Sequence, residues 1–191
     1  MTAPDHVVAL VAGMAADRPA GLGATRLVCV DGPAGSGKTT LAAQLGALLP
    51  AQVVHMDDLY EGWTGMRAGI ARLAEWVLEP LAEGRPGRYQ RYDWGLGKYA
   101  ERHTVPLADF LVVEGCGSAS LSTEPYSPLV VWVEAPDDVR LERGLERDGA
   151  ALEPAWREFM QTEREHYAEH RTRERAHVRL DGVGNLVTPW S

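Results

Sequence analysis

Gly32-Pro33-Ala34-Gly35-Ser36-Gly37-Lys38-Thr39 is a complete G-x-x-x-x-G-K-[ST] stretch, and its reading decides the fold. The apolar run Leu27-Val28-Cys29-Val30 precedes it, as a buried parallel strand would. Leu41, Leu45 and Leu48 follow at the spacing of a buried helical stripe. Strand, glycine-rich turn and helix start thus come in the order that a phosphate cradle needs. Glycines let main-chain N–H groups turn inward around an anion, and the helix N-terminus adds partial positive charge. The pattern predicts that Gly32, Ala34, Gly35, Ser36, Gly37, Lys38, Thr39 and Thr40 surround the phosphates of a nucleoside triphosphate. Lys38 would reach the β- and γ-phosphates, and the Thr39 hydroxyl would ligate Mg²⁺.

The 191 residues suffice for a single domain, residues 1–191, and are too few for two of ordinary size. With 45% hydrophobic and 24% charged residues, the composition is that of a soluble globular chain. A net charge of −8 argues against nucleic acid as a partner, because that binding needs clustered Lys and Arg. Cys29 and Cys116 form no C-x-x-C pair, so reduced thiols and a cytoplasmic location are expected. The apolar stretch Val7 to Ala16 is too short to cross a bilayer and follows Asp5, so it reads as a first helix packed on the domain, with no membrane partner.

Five apolar runs punctuate the chain: Leu27–Val30, Gln52–His55, Phe110–Val113, Leu129–Val133 and Val178–Leu180. Most lack polar alternation, as strands buried on both faces of a parallel sheet do. Helical stripes alternate with them. Ile70, Leu73, Val77 and Leu81 make one, with Pro80 expected to end or bend it. Trp156, Phe159, Met160 and Tyr167 make another, within a charged segment from about Glu153 to Arg175. Gly84 to Arg91 reads as a turn into a short irregular or hairpin segment. This alternation predicts a three-layer α/β fold with ligands at the carboxyl ends of the strands.

Asp57 and Asp58 follow the second run directly, where a carboxylate can take a proton from an attacking hydroxyl. One of them could instead cap the next turn. Glu114 ends the third run and is placed to hold Mg²⁺ through water. Arg140, Arg143 and Arg147 share a face if Asp137 to Asp148 is helical, and a phosphate between Arg143 and Arg147 would relieve their repulsion. Tyr89 to Trp94, with Tyr60 and Trp63, is dense enough in aromatic and polar groups to wall an acceptor pocket, or simply to pack the core and rim. The six histidines show no zinc pattern; His166 and His170 are expected to be solvated.

With these residues in place, the chain resembles the uridine kinase-like group of P-loop kinases, from Arg26 to about Asn185. The likeness rests on Gly32–Thr40, on Asp57-Asp58-Leu59-Tyr60, on Tyr92-Asp93-Trp94, on Val113-Glu114-Gly115, and on Arg140-Leu141-Glu142-Arg143 with Arg147-Asp148. The resemblance implies a sheet of five parallel strands and an arginine-bearing lid over ATP, here short. It implies that Asp57 is the base for the acceptor hydroxyl, with Tyr60, Tyr92 and Asp93 on the acceptor side. The acid-and-histidine-rich ribose segment of uridine kinases is absent between Tyr60 and Tyr92. Gly95-Leu96-Gly97-Lys98 stands where those enzymes carry a base-recognising histidine.

The expectation is therefore an ATP- and Mg²⁺-dependent kinase acting on a hydroxyl of a small metabolite, a nucleoside or nucleoside-like compound being one candidate. Lys38, Asp57, Arg143 and Arg147 would be catalytic, and Thr39 and Glu114 would manage the metal. A nucleotide-dependent switch or assembly ATPase is the alternative, although neither Asn-Lys-x-Asp nor Leu-Ser-Gly-Gly-Gln occurs. A kinase that inactivates a hydroxylated antibiotic would use the same chemistry. Acceptor identity and oligomeric state are left open.

Overall fold

A computed structural model describes residues 2–187. Strand β1 (Arg26–Asp31) is the centre of a five-stranded sheet, with β5 (Phe110–Glu114) and β2 (Gln52–His55) on one side and β6 (Leu129–Glu134) and β7 (Val178–Asp181) on the other. All four pairings are parallel. Each of the five apolar runs is one of these strands.

The reason for the missing polar alternation is visible in the packing. Leu27 and Cys29 of β1 face one apolar core, and Val28 and Val30 face another. Helices α1 (Asp5–Asp17) and α2 (Lys38–Leu48) supply Val7, Val11, Leu41 and Leu45 to the second core. On the opposite face lie α3 (Met66–Leu73), α4 (Glu79–Ala82) and Phe159 of α6 (Glu153–His170). The fold is the expected three-layer α/β sandwich. Among the described residues no helix is long and apolar enough to cross a membrane.

Two local features bear on the expectations. Pro80 does not end the helical path at the preceding residue; it sits in the first turn of α4. A π-helical turn, Ala74–Leu78, joins α3 to α4 and widens the backbone just where the proline ring would crowd the carbonyl of Trp76. The segment after Gly84, expected as a turn into a short irregular or hairpin segment, is an antiparallel hairpin, β3 (Gly87–Asp93) and β4 (Lys98–Val105), with an irregularity between Gln90 and Tyr92. Its turn is closed by Asp93, whose Oδ1 accepts from Leu96 N at 2.9 Å and whose carbonyl accepts from Gly97 N at 2.8 Å. Helix α5 (Asp137–Asp148) runs into α6 through the short turn Ala150–Leu152, so the segment between them is brief, as expected. Arg171, at φ +49°, ends α6 before the short helix α7 (Thr172–Arg175).

The carboxyl ends of β1, β2 and β5 converge. The glycine loop follows β1, the turn Met56–Asp58 follows β2, and Glu114 closes β5. This edge holds the candidate site.

Candidate active site

The loop from Gly32 to Gly37 doubles back on itself because its glycines take left-handed backbone angles. Gly35, at φ +77°, shows why no side chain fits: a Cβ there would lie 2.7 Å from the main-chain oxygen of Arg140. Lys38 begins α2, and its Nζ donates to Pro33 O at 2.8 Å, leaving the side chain only 6% exposed. Burial alone would lower the Lys38 pKa. The Cys116 sulfur and the carboxylates of Glu114, Glu163 and Asp31 outweigh it, so the ammonium is held above the ordinary lysine value.

Glu114 brings β5 to the loop. The Thr39 hydroxyl donates to its Oε1 at 3.1 Å, and His55 Nδ1 meets the same oxygen at 2.6 Å. That bond to Glu114 raises the His55 pKa above its usual value. A hydroxyl and a carboxylate at one point form a hard oxygen donor set. It suits Mg²⁺, which keeps most of its waters and needs few protein ligands. No group of three or more His, Cys, Asp or Glu converges as a metal cluster among the described residues.

Asp57 and Asp58 share one turn but face different groups. Asp57 is exposed to solvent. The surrounding protein, and then the Glu114 charge, raise its pKa, while Lys38, Arg147 and His55 pull it down. Asp58 faces the hairpin, where the Tyr89 hydroxyl donates to its Oδ2 at 3.3 Å. Desolvation raises the pKa of both acids, and they differ in their neighbours: Lys38 and Arg147 bear on Asp57, Tyr89 and His103 on Asp58.

The three arginines of α5 diverge. Arg140 turns under the loop and is 1% exposed, paired with Glu163. Arg143 donates to Gly35 O at 3.1 Å and to Gly182 O at 3.4 Å, beside the loop. Arg147 is exposed, doubly bonded to Asp148 at 2.7 and 2.9 Å, with its charge bearing on Asp57.

No family model matches the chain. It is 32% identical to a cytidylate kinase of Pyrobaculum arsenaticum over 139 residues, 73% of this chain and 68% of that one. With a cytidylate kinase of Halobacterium salinarum the identity is also 32%, over 74% of this chain and 72% of the relative. Among solved structures, a possible uridine kinase from Bacillus stearothermophilus superposes with a TM-score of 0.67 at 20% identity, covering 92% of this chain and 97% of that one. The chain belongs to the P-loop kinase family of these cytidylate kinases. Its fold is the uridine kinase-like one.

Several expected site residues of this P-loop kinase hold other residues in place. The Ala34 N–H is spent on Glu163 Oε2 at 2.8 Å, so Ala34 fixes the loop instead of offering its amide to a phosphate. Tyr60 is 1% exposed and its hydroxyl donates to the Cys116 carbonyl; it lies behind the site, not on an acceptor wall. Asp93 is occupied by the hairpin turn and by Arg91 at 3.0 Å. Tyr92 is buried edge-on between Trp94 and Tyr99, so it shapes the hairpin from within.

Other groups take the exposed places. Trp94 is 41% exposed and its Nε1 donates to the Asp57 carbonyl at 3.0 Å. His103 stacks on Tyr89 with ring centroids 5.1 Å apart. Two buried acids of this kinase went unread. Asp31 accepts from Gly32 N, Gly117 N, Ala119 N and the Tyr167 hydroxyl, all within 2.9 Å, and so ties the phosphate loop to the turn after β5 and to α6. Burial raises its pKa, and those donors offset part of the rise. Glu163 lies on the helical stripe of Trp156, Phe159 and Met160, and an acid at a buried stripe position was the signal. His166 and His170, expected in solvent, are half-buried with rings 4.1 Å apart, and burial lowers the His166 pKa to about 4.

Proposed function

We propose that this P-loop kinase uses ATP and Mg²⁺ to phosphorylate a hydroxyl of a small metabolite, with a nucleoside or nucleoside-like compound as the first candidate. The observation that carries this reading is Asp57, an exposed carboxylate that feels the charges of the loop lysine Lys38 and the α5 arginine Arg147. A hydroxyl is a poor nucleophile until a base accepts its proton as attack proceeds, and Asp57 is placed to do so. The loop amides and Lys38 hold the β- and γ-phosphates. Arg143 and Arg147 neutralise charge that builds on the phosphoryl group in flight. Thr39 and Glu114 would hold Mg²⁺, which supplies charge neutralisation across the phosphate oxygens when bound. Trp94 and the Asp58–Tyr89 pair line the acceptor side.

The relatives named cytidylate kinase favour a second reading, in which the acceptor is the phosphate of a nucleotide. Such an acceptor is an anion and needs cations, not a base. Asp57, Asp58 and Glu114 would repel it, and Arg91 of the hairpin is already held by Glu101 and Asp93. These charges support the hydroxyl.

Incubation of the protein with ATP, Mg²⁺ and paired acceptors, cytidine and uridine against their monophosphates, within a wider library of hydroxyl metabolites, tests the choice by mass spectrometry. Phosphorylated alcohols are expected. Turnover confined to the monophosphates would replace this reading with the second.

A further inference from the structure

Ala34 stands at the outer bend of the phosphate loop, and side chains from the far half of the chain take both of its main-chain polar groups. Its N–H donates to Glu163 Oε2 at 2.8 Å, and its carbonyl accepts from Arg140 Nη1 at 2.9 Å. The same Nη1 lies 2.5 Å from Glu163 Oε1, and Arg140 Nη2 lies 2.7 Å from Asp137 Oδ1. Both Arg140 and Glu163 are 1% exposed. In a trans peptide the carbonyl and the following N–H point in opposite directions. Holding the Ala34 carbonyl toward Arg140 therefore turns the Gly35 N–H away from α5. Arg143 holds the Gly35 carbonyl at 3.1 Å in the same manner.

A buried ion pair contributes little net stability. Replacing both partners by apolar groups is often neutral or better, whereas removing one is costly. Arg140 and Glu163 come from different helices and meet at a loop residue more than a hundred positions away in sequence. Their shared contact is the loop backbone. We propose that Glu163, acting with Arg140, is the positioning residue of the phosphate loop: it sets the affinity for a polyphosphate by fixing the peptide groups at Ala34, without touching the nucleotide. The proposal rests on the loop's being the polyphosphate site. It is independent of the acceptor, so failure of the hydroxyl reading in turnover assays leaves it standing.

The test is MgADP affinity and thermal midpoint for the full chain, E163Q and the apolar pair E163L/R140M. E163Q is expected to weaken MgADP about tenfold or more, the scale of one lost charge-assisted hydrogen bond. E163L/R140M is expected to recover the thermal midpoint of the parent while the affinity stays low. A purely structural pair would instead return affinity together with the midpoint. Parental MgADP affinity in either variant overturns the proposal, and each variant decides alone if the other fails to fold.

Discussion

The Trp94 indole donates to the main-chain carbonyl of Asp57 at 3.0 Å, so the tip of the hairpin is fastened to the turn that carries the candidate base. Trp63 packs edge-on against Trp94 at 5.6 Å and against Trp156 at 5.7 Å, and Arg147 lies 5.8 Å over the Trp156 ring. An unbroken line of contacts thus connects the turn of Asp57 to Arg147. Trp94→Phe keeps the ring and removes the donor. Turnover should fall roughly two- to twelve-fold, corresponding to a net 0.5–1.5 kcal/mol for one hydrogen bond. MgADP affinity, measured by calorimetry, should not change.

Asp57 and Asp58 should separate by kinetics. Asp57→Asn is expected to lower kcat by roughly 10²–10⁴, the usual worth of a general base, with ATP affinity little changed. Asp58→Asn should act mainly on the KM of the acceptor, because its contact is with Tyr89 of the hairpin. Equal losses of ATP affinity and turnover in Asp57→Asn would contradict the base assignment.

The pH profile follows from the raised pKa of Asp57. A base must be ionised to act, so activity is lost as pH falls through the folded-state value. That value lies above the roughly 3.9 of a free aspartate. The acid limb of kcat should therefore sit above that point, and Asp57→Asn should remove it. A limb retained in the variant would assign it to another group.

Arg147→Ala should lower kcat strongly, on the order of 10³ if it acts as transition-state arginines do. Its side chain is exposed and bonded to Asp148, so folding should survive the change. A thermal midpoint close to the parent, alongside the kinetic loss, would separate this role from a structural one.

The architecture was legible because its strands are short apolar runs bounded by turns, and burial on both sheet faces erases polar alternation. The glycine loop was legible because its chemistry demands contiguous residues. What escaped were groups whose meaning is set by partners distant in sequence. Arg140 and Arg143 are indistinguishable on a helical wheel, yet one is buried against Glu163 and the other lies along the loop. Asp31 looks like the last residue of a strand, and its role comes from amides at Gly117 and Ala119. Tyr60 and Tyr92 read as pocket walls because aromatic residues serve packing and recognition equally, and nothing local tells which. Pro80 was read as ending or bending its helix, because a π turn leaves no mark in the sequence.

The central claim is that the terminal phosphoryl of ATP passes from the Lys38 loop to an alcohol beside Asp57. Phosphorus NMR of the product formed with ATP, Mg²⁺ and the best acceptor distinguishes the outcomes in one spectrum. A phosphomonoester resonance, growing far more slowly with Asp57→Asn, is the predicted result. A phosphoanhydride resonance on the acceptor, or inorganic phosphate alone, would contradict it.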